Sequence, residues 1–299
     1  LLMIGNIIFL TFLVCLADGI RRKLVIEKPV KEILEAVEQI SRGNFGYRAP
    51  VLHSGKRRNE FDLILEGINQ MAEELGNVET LQTDFISNVS HELKTPLAVI
   101  QNYASVLGSR GLEEEQRKEY TVTIVDTARR LSGLVTNILR LNRLENQEIY
   151  PKAQKYPLGE QLRCCILAFE EKWEEKELEV EADIEDLDLF GDEELLEIVW
   201  NNLISNAIKF TGQGGTIRVS LHPSDDFAVV QVADTGCGMD EKTGQHIFDK
   251  FYQGDTSHAQ EGNGLGLAMV RRVVDIVQGD ISVESRLGKG TVFTVRIRL

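Results

Sequence analysis

The chain has 299 residues, of which 42% are hydrophobic and 27% charged, a composition that excludes wholesale disorder and allows two domains plus smaller modules. Its formal net charge of −14 argues against a nucleic-acid binder, because a phosphate backbone repels such a surface. The charge is uneven: residues 1–60 hold ten Lys or Arg against six Asp or Glu, a net of +4, and the rest carries −18. The four cysteines, Cys15, Cys164, Cys165 and Cys237, lack metal-ligand spacing, which fits a reducing compartment.

Residues 1–17 are almost wholly apolar and carry no charge. As a helix they cover roughly 25 Å, slightly less than a bilayer core of about 30 Å. The first residue is not Met, and Arg21, Arg22 and Lys23 follow the apolar run instead of preceding it. The segment 1–20 is therefore expected to be the end of a transmembrane helix, with residues from about 21 onward cytoplasmic.

Ile26, Val30, Ile33, Val37 and Ile40 are spaced 4, 3, 4, 3, a coiled-coil seam. Ser41, Gly43, Asn44 and Gly46 end that helix, and the chain to about Arg58 reads as a connector. Phe61, Leu65, Ile68, Ala72 and Leu75 then repeat the seam; the next apolar residue is Val78, so the heptad phase slips there.

A third helix is predicted over 75–107 and a fourth over 113–145, with Gly108 and Gly111 marking the turn between them. Phe85, Val89, Leu93, Leu97 and Ile100 line the third helix; Tyr120, Ile124, Thr127, Leu131, Leu134, Ile138 and Leu141 line the fourth. Neither seam is buried by one helix alone, so an antiparallel hairpin dimerising into a four-helix bundle is expected. Beyond Pro151 the pattern changes. Helices are predicted over 158–173, 195–209 and 265–278, with strands at 178–182, 187–190, 216–221, 228–233, 280–285 and 291–298. That mixture predicts an α/β sandwich.

Five segments carry chemical groups. In Asn88-Val-Ser-His-Glu-Leu-Lys-Thr-Pro-Leu97 the His91 imidazole is expected on the exposed face, with Glu92 beside it and Pro96 bending the helix just beyond. Neutral imidazole is a competent nucleophile when a partner such as Glu92 holds its other nitrogen protonated. Asn202 and Asn206, four residues apart, share a helix face with Lys209 one turn on; amide oxygens suit Mg²⁺ and an ammonium suits phosphate. Asp234-Thr-Gly-Cys-Gly-Met239 ends an apolar strand and offers a carboxylate to an adenine amine. Gly262-Asn-Gly-Leu-Gly-Leu267 opens a helix whose free N–H groups suit phosphate. Gly288-Lys-Gly-Thr-Val-Phe293 turns into the last strand.

In this order the segments resemble the sensor histidine kinases of two-component systems, across nearly the whole chain. The resemblance divides it into the end of a transmembrane helix (1–20), a HAMP-like linker (21–76), a dimerisation and phosphotransfer hairpin (77–150) and an ATP-binding domain (151–299). It implies that His91 accepts phosphate from ATP, that Glu92 is its acid/base partner, and that Thr95 supports dephosphorylation of the partner regulator. It implies nucleotide contacts from Asn202, Asn206, Lys209, Asp234, Gly236, Gly238, Phe248, Lys250, Tyr252, Gly262, Gly264, Leu265, Gly266, Leu267 and Thr291, with Asn206 as the Mg²⁺ ligand. One departure is Ile198, where many relatives carry a polar Gln or Glu. The implied partners are a second copy of the chain, lipid around the N-terminal span and a separate response regulator supplying the acceptor Asp. The implied setting is a bacterial cell membrane.

Overall fold

α1 (Leu2–Arg22) passes through a π-helical turn at Lys23–Glu27 into α2 (Lys28–Ser41). The computed structural model describes residues 2–50, 59–108, 112–146, 152–253 and 262–299, divided between two units, Leu1–Ser87 and Asn88–Leu299. The end of the connector to Arg58, Gly111 of the hairpin turn, the boundary at Pro151 and residues 254–261 lie outside the described residues. Along α1 the large apolar side chains, Ile7, Phe9 and Phe12 among them, are exposed. Among the described residues no helix is long and apolar enough to cross a membrane.

In the first unit, α2 ends where Gly43 adopts φ 83, a left-handed conformation that glycine reaches without strain. Ala36, Ala49 and Leu65 form a small core, flanked by Ile33, Tyr47 and Ile68. The connector is stitched to the next helix because the Asn69 amide donates to the Ala49 carbonyl (2.9 Å) and accepts from its N–H (2.7 Å). That helix, α3 (Glu60–Leu107), is closed by a reciprocal cap: Asn59 N–H donates to the Asp62 carboxylate, and Asp62 N–H to the Asn59 amide oxygen, each at 3.0 Å.

Two separate helices were expected over 60–107. The structure joins them into one helix of 48 residues that passes without interruption through the phase slip at Val78 and through Pro96. α4 (Glu114–Glu145) opens on a capping box between Glu113 and Gln116. The Tyr103 and Tyr120 rings meet across the hairpin at 5.1 Å between centroids.

The rest of the chain is a two-layer α/β domain. β1 (Gln154–Pro157) pairs antiparallel with β3 (Asp188–Gly191). β2 (Glu179–Ile184), β4 (Thr216–Ser224), β5 (Phe227–Asp234), β6 (Asp280–Arg286) and β7 (Gly290–Arg298) form a sheet in the order β2-β4-β5-β7-β6. β2 and β4 run parallel and every other neighbour is antiparallel. α5 (Leu158–Leu167), α7 (Glu193–Phe210) and α9 (Gly266–Ile276) cover one face, and α6 (Glu170–Glu175) and α8 (Glu241–His246) are short. Alternation decides which face: Ala228, Val230 and Val232 are buried while Gln231 is exposed.

Three local expectations are corrected. The helix over 158–173 is two helices, because Phe169 N–H reaches back to the Ile166 carbonyl at 3.0 Å and its own carbonyl starts the next turn through Lys172 and Trp173. The loop expected at His222 is strand, since β4 continues to Ser224 and turns through Asp225 (φ 52) and Asp226 into β5. β1 and α8, not expected from the sequence, are too short for a periodic signal.

The extension of β4 puts His222 between two carboxylates at the end of β2, Glu185 at 2.8 Å and Asp183 at 3.3 Å. The hydrogen bond to Glu185 and the neighbouring charges hold its pKa above the usual value. A raised folded-state pKa stabilises fully below the unfolded value near 6.5 and is lost as pH rises through the folded one. The melting temperature of the wild type minus that of His222→Gln is therefore expected to be larger at pH 6 than at pH 9; a difference independent of pH would refute the pairing.

Candidate active site

The site is built on α7. Asp192 caps it by accepting Leu195 N–H at 3.0 Å, and one stripe (Leu195, Val199, Leu203 and neighbours) is buried against the sheet. Asn202, Asn206 and Lys209 fall on the adjacent, half-buried stripe, so the burial of α7 aims all three at the same opening. The Asn202 amide nitrogen donates to the Ile198 carbonyl at 2.6 Å, which leaves its oxygen facing the start of α9. A Cβ on Gly266 would lie 2.5 Å from that oxygen, and a Cβ on Gly262 would lie 2.7 Å from the Lys209 ammonium. The glycines at the mouth of α9 thus stand directly over the polar stripe of α7, and the α9 N-terminus adds its positive dipole end.

The opposite wall is the end of the sheet. Asp234, the last residue of β5, accepts Gly236 N–H at 2.8 Å and also bonds the backbone of Thr291. Burial pushes its pKa up while those two N–H groups pull it down. Gly236 has no room for a side chain, since a Cβ would meet the Phe210 carbonyl at 2.5 Å; at Gly238 (φ 62) the Arg286 carbonyl excludes one. These glycines serve chain packing as much as ligand approach.

Residues 246–253 contribute a third border. Phe248 and Tyr252 are half-buried, the Tyr252 ring lies 5.5 Å from the His246 ring, and Phe251 N–H donates to the Gly264 carbonyl at 2.9 Å. Gln253 donates to the Gly262 carbonyl at 2.9 Å. Leu265 is fully buried and Leu267 half-buried, so their side chains anchor α9. Lys250 pairs with Glu145 of α4 at 2.5 Å, while Arg272 of α9 donates to the Leu144 carbonyl at 3.0 Å. Leu141 and Leu144, each 1% exposed, are buried at the same junction.

His91, Glu92 and Thr95 lie apart from this group on α3. His91 is exposed, and among the described residues no side chain hydrogen-bonds its ring. The Thr95 hydroxyl donates to the His91 carbonyl at 3.3 Å, and Pro96 leaves the Glu92 carbonyl without its usual helical donor. Sequence reasoning did not find Ser285, Glu145, Arg272 or Gln253. Each acts through a partner distant along the chain, and none stands in a motif.

A glycine-opened helix and a half-buried strand-end aspartate, in a two-layer α/β domain joined to a hairpin with an exposed histidine, define a nucleotide-dependent signalling module. Residues 191–299 match the histidine kinase-, DNA gyrase B-, and HSP90-like ATPase family, residues 81–147 the His Kinase A (phospho-acceptor) domain, and residues 28–77 the HAMP domain. The heme sensor protein HssS of Staphylococcus saprophyticus is 30% identical over 273 residues, covering 91% of this chain and 58% of the relative. HssS of Staphylococcus aureus strain Newman gives 30% over 272 residues, with the same coverage of 91% and 58%. Among solved structures, histidine kinase ThkA in complex with response regulator protein TrrA aligns with a TM-score of 0.62 at 25% identity, covering 74% of this chain and 63% of that one. Full-length ShkA in complex with AMPPNP aligns with a TM-score of 0.55 at 29% identity, covering 73% and 45%. The three family models in this order, together with the HssS relatives, support a sensor histidine kinase of a two-component system. The chain spans 58% of the length of the curated relatives it matches.

Proposed function

We propose that the chain transfers the γ-phosphoryl group of ATP to a ring nitrogen of His91 and passes it on to an Asp of a separate response regulator. The observation that carries this reading is the convergence of Asn202 and Lys209 on the glycine-lined start of α9, with Asn206 on the same half-buried stripe of α7. Lys209 and the α9 N–H groups neutralise phosphate charge, and Asp234 accepts from the adenine amine. In the transfer an O–P bond of ATP breaks, an N–P bond to His91 forms and ADP leaves. Glu92 takes the ring proton whose acidity rises as the imidazole gains positive character. Most of the rate enhancement comes from positioning and charge neutralisation.

The amide oxygens fit Mg²⁺, a hard cation that leans on substrate phosphates and needs few protein ligands. Among the described residues no cluster of three His, Cys, Asp or Glu side chains competes for it, and Asn206 would hold it. Bound there, it would supply charge neutralisation at the transferring phosphoryl group.

Further parts of the proposal concern the helical half. Exposed apolar residues Val30, Val37, Leu97, Val122 and Leu139 are covered by a second copy of the chain, completing a four-helix bundle. The apolar surface of α1 belongs to a membrane-embedded end, with Arg21 and Arg22 at the lipid boundary. Thr95, one turn beyond His91, orients the water that removes phosphate from the regulator.

The chain incubated with γ-labelled ATP and Mg²⁺ is expected to take up label that is acid-labile and stable in base. Absence of label, or label that survives acid, would overturn the proposal.

A further inference from the structure

The end of the sheet holds a polar row that the nucleotide site by itself does not explain. Asp234 is register partner to Thr291 across β5 and β7, and Thr291 is register partner to Ser285 across β7 and β6. Directly opposed residues share a face, so the three side chains stand in one line across three strands. The rows beneath it on the same face are apolar: Val232, Phe293 and Val283, then Val230, Val295 and Ile281. A polar row closing an apolar face must satisfy its own hydrogen bonds, and Thr291 is only 7% exposed.

Counting protons fixes how it does so. A hydroxyl has one hydrogen to give and two lone pairs to receive. Ser285 Oγ accepts Met239 N–H at 2.8 Å and donates its own hydrogen to the Gly290 carbonyl at 3.1 Å. Its contact with Thr291 Oγ1 at 2.9 Å is then a bond donated by Thr291. All three positions on Ser285 are filled, and Thr291 is left with lone pairs alone. Asp234, which receives N–H groups from Gly236 and Thr291, also presents only acceptors.

We propose that Ser285 is a positioning residue for base selection. By accepting the hydrogen bond that the Thr291 hydroxyl donates, it makes the row from Asp234 to Thr291 an acceptor-only edge, suited to a 6-amino purine and hostile to a 6-oxo purine. The inference rests on the ATP-binding reading above. A 6-amino group donates two hydrogens to such an edge, whereas a 6-oxo group sets its lone pairs against theirs and leaves the acceptors unmatched. Without Ser285 the Thr291 hydroxyl turns freely and can donate to the 6-oxo group.

The test measures ATP and inosine triphosphate affinities of the full chain by titration calorimetry. Wild type is expected to prefer ATP. Ser285→Ala is expected to lower the ATP-to-inosine-triphosphate affinity ratio by about fivefold, the factor that one hydrogen bond supports, and Ser285→Thr to keep the ratio. A ratio unchanged in Ser285→Ala, including an equal loss of both affinities, makes Ser285 a packing residue only and overturns the inference. Should Ser285→Ala not fold, Ser285→Cys replaces it; a thiol is a weak donor and acceptor, so the ratio must fall there too, and an unchanged ratio again overturns it. Failure of wild type to bind either nucleotide sinks the ATP-binding reading instead, a distinguishable outcome.

Discussion

His91→Gln protein is expected to bind ATP with the affinity of the wild type and to take up no phosphoryl label. The imidazole supplies the only lone pair the transfer requires, and a Gln amide is not a nucleophile at neutral pH. The side chain is exposed on α3, and the residues proposed to bind nucleotide lie on α7, α9 and the end of β5. Removing the ring therefore leaves the ATP cleft unchanged. Stability is expected to shift by no more than about 0.5 kcal/mol, the usual range for an exposed substitution. Phosphorylation and calorimetric titration on the same preparation check both halves. Label on the variant would move the acceptor elsewhere, and a lost ATP affinity would mean that the hairpin histidine is part of the nucleotide site.

Trp200→Ala is expected to destabilise the ATP-binding domain by about 3–5 kcal/mol, read from urea unfolding of that domain. Trp200 is fully buried on α7. Its indole N–H donates to the Gln161 amide oxygen at 3.0 Å, and the Gln161 amide nitrogen donates to the Glu193 carbonyl at 2.6 Å. Truncation leaves a cavity and strands the Gln161 oxygen in a buried setting. Trp200→Phe keeps most of the volume and loses the N–H, so its cost should be smaller, about 1–3 kcal/mol. Because Asn202 lies two residues further along α7, both variants are also expected to weaken ATP binding. A loss under about 1 kcal/mol for Trp200→Ala would show that α5 and α7 do not depend on this contact.

The pattern of seams and motifs was legible because it is local. Spacings of three and four residues show which side of each helix is apolar, and α4 ends at Glu145 as its periodicity predicts. Asn202, Asn206 and Lys209 were readable as one helix face for the same reason. Short elements were not readable. The four residues of β1 and the six of α8 hold too few positions to show a period, and the break after Leu167 depends on how Phe169 satisfies its backbone. The join of 60–107 into one helix was also missed, since a slip in seam phase changes which face is apolar without interrupting the backbone hydrogen bonds.

By itself the sequence determined the order of the modules, the exposed histidine and the polar stripe and glycine runs on which the proposal rests, because helical faces, turns and glycine runs are set by neighbours in the chain. Only the tertiary structure decided what those residues touch: that Asn202 faces Gly266, that Lys209 stands at Gly262, that Lys250 pairs with Glu145, and that Ser285 completes the row with Asp234 and Thr291. Strand register and helix packing create those contacts between segments far apart along the chain, and burial gives them their energy.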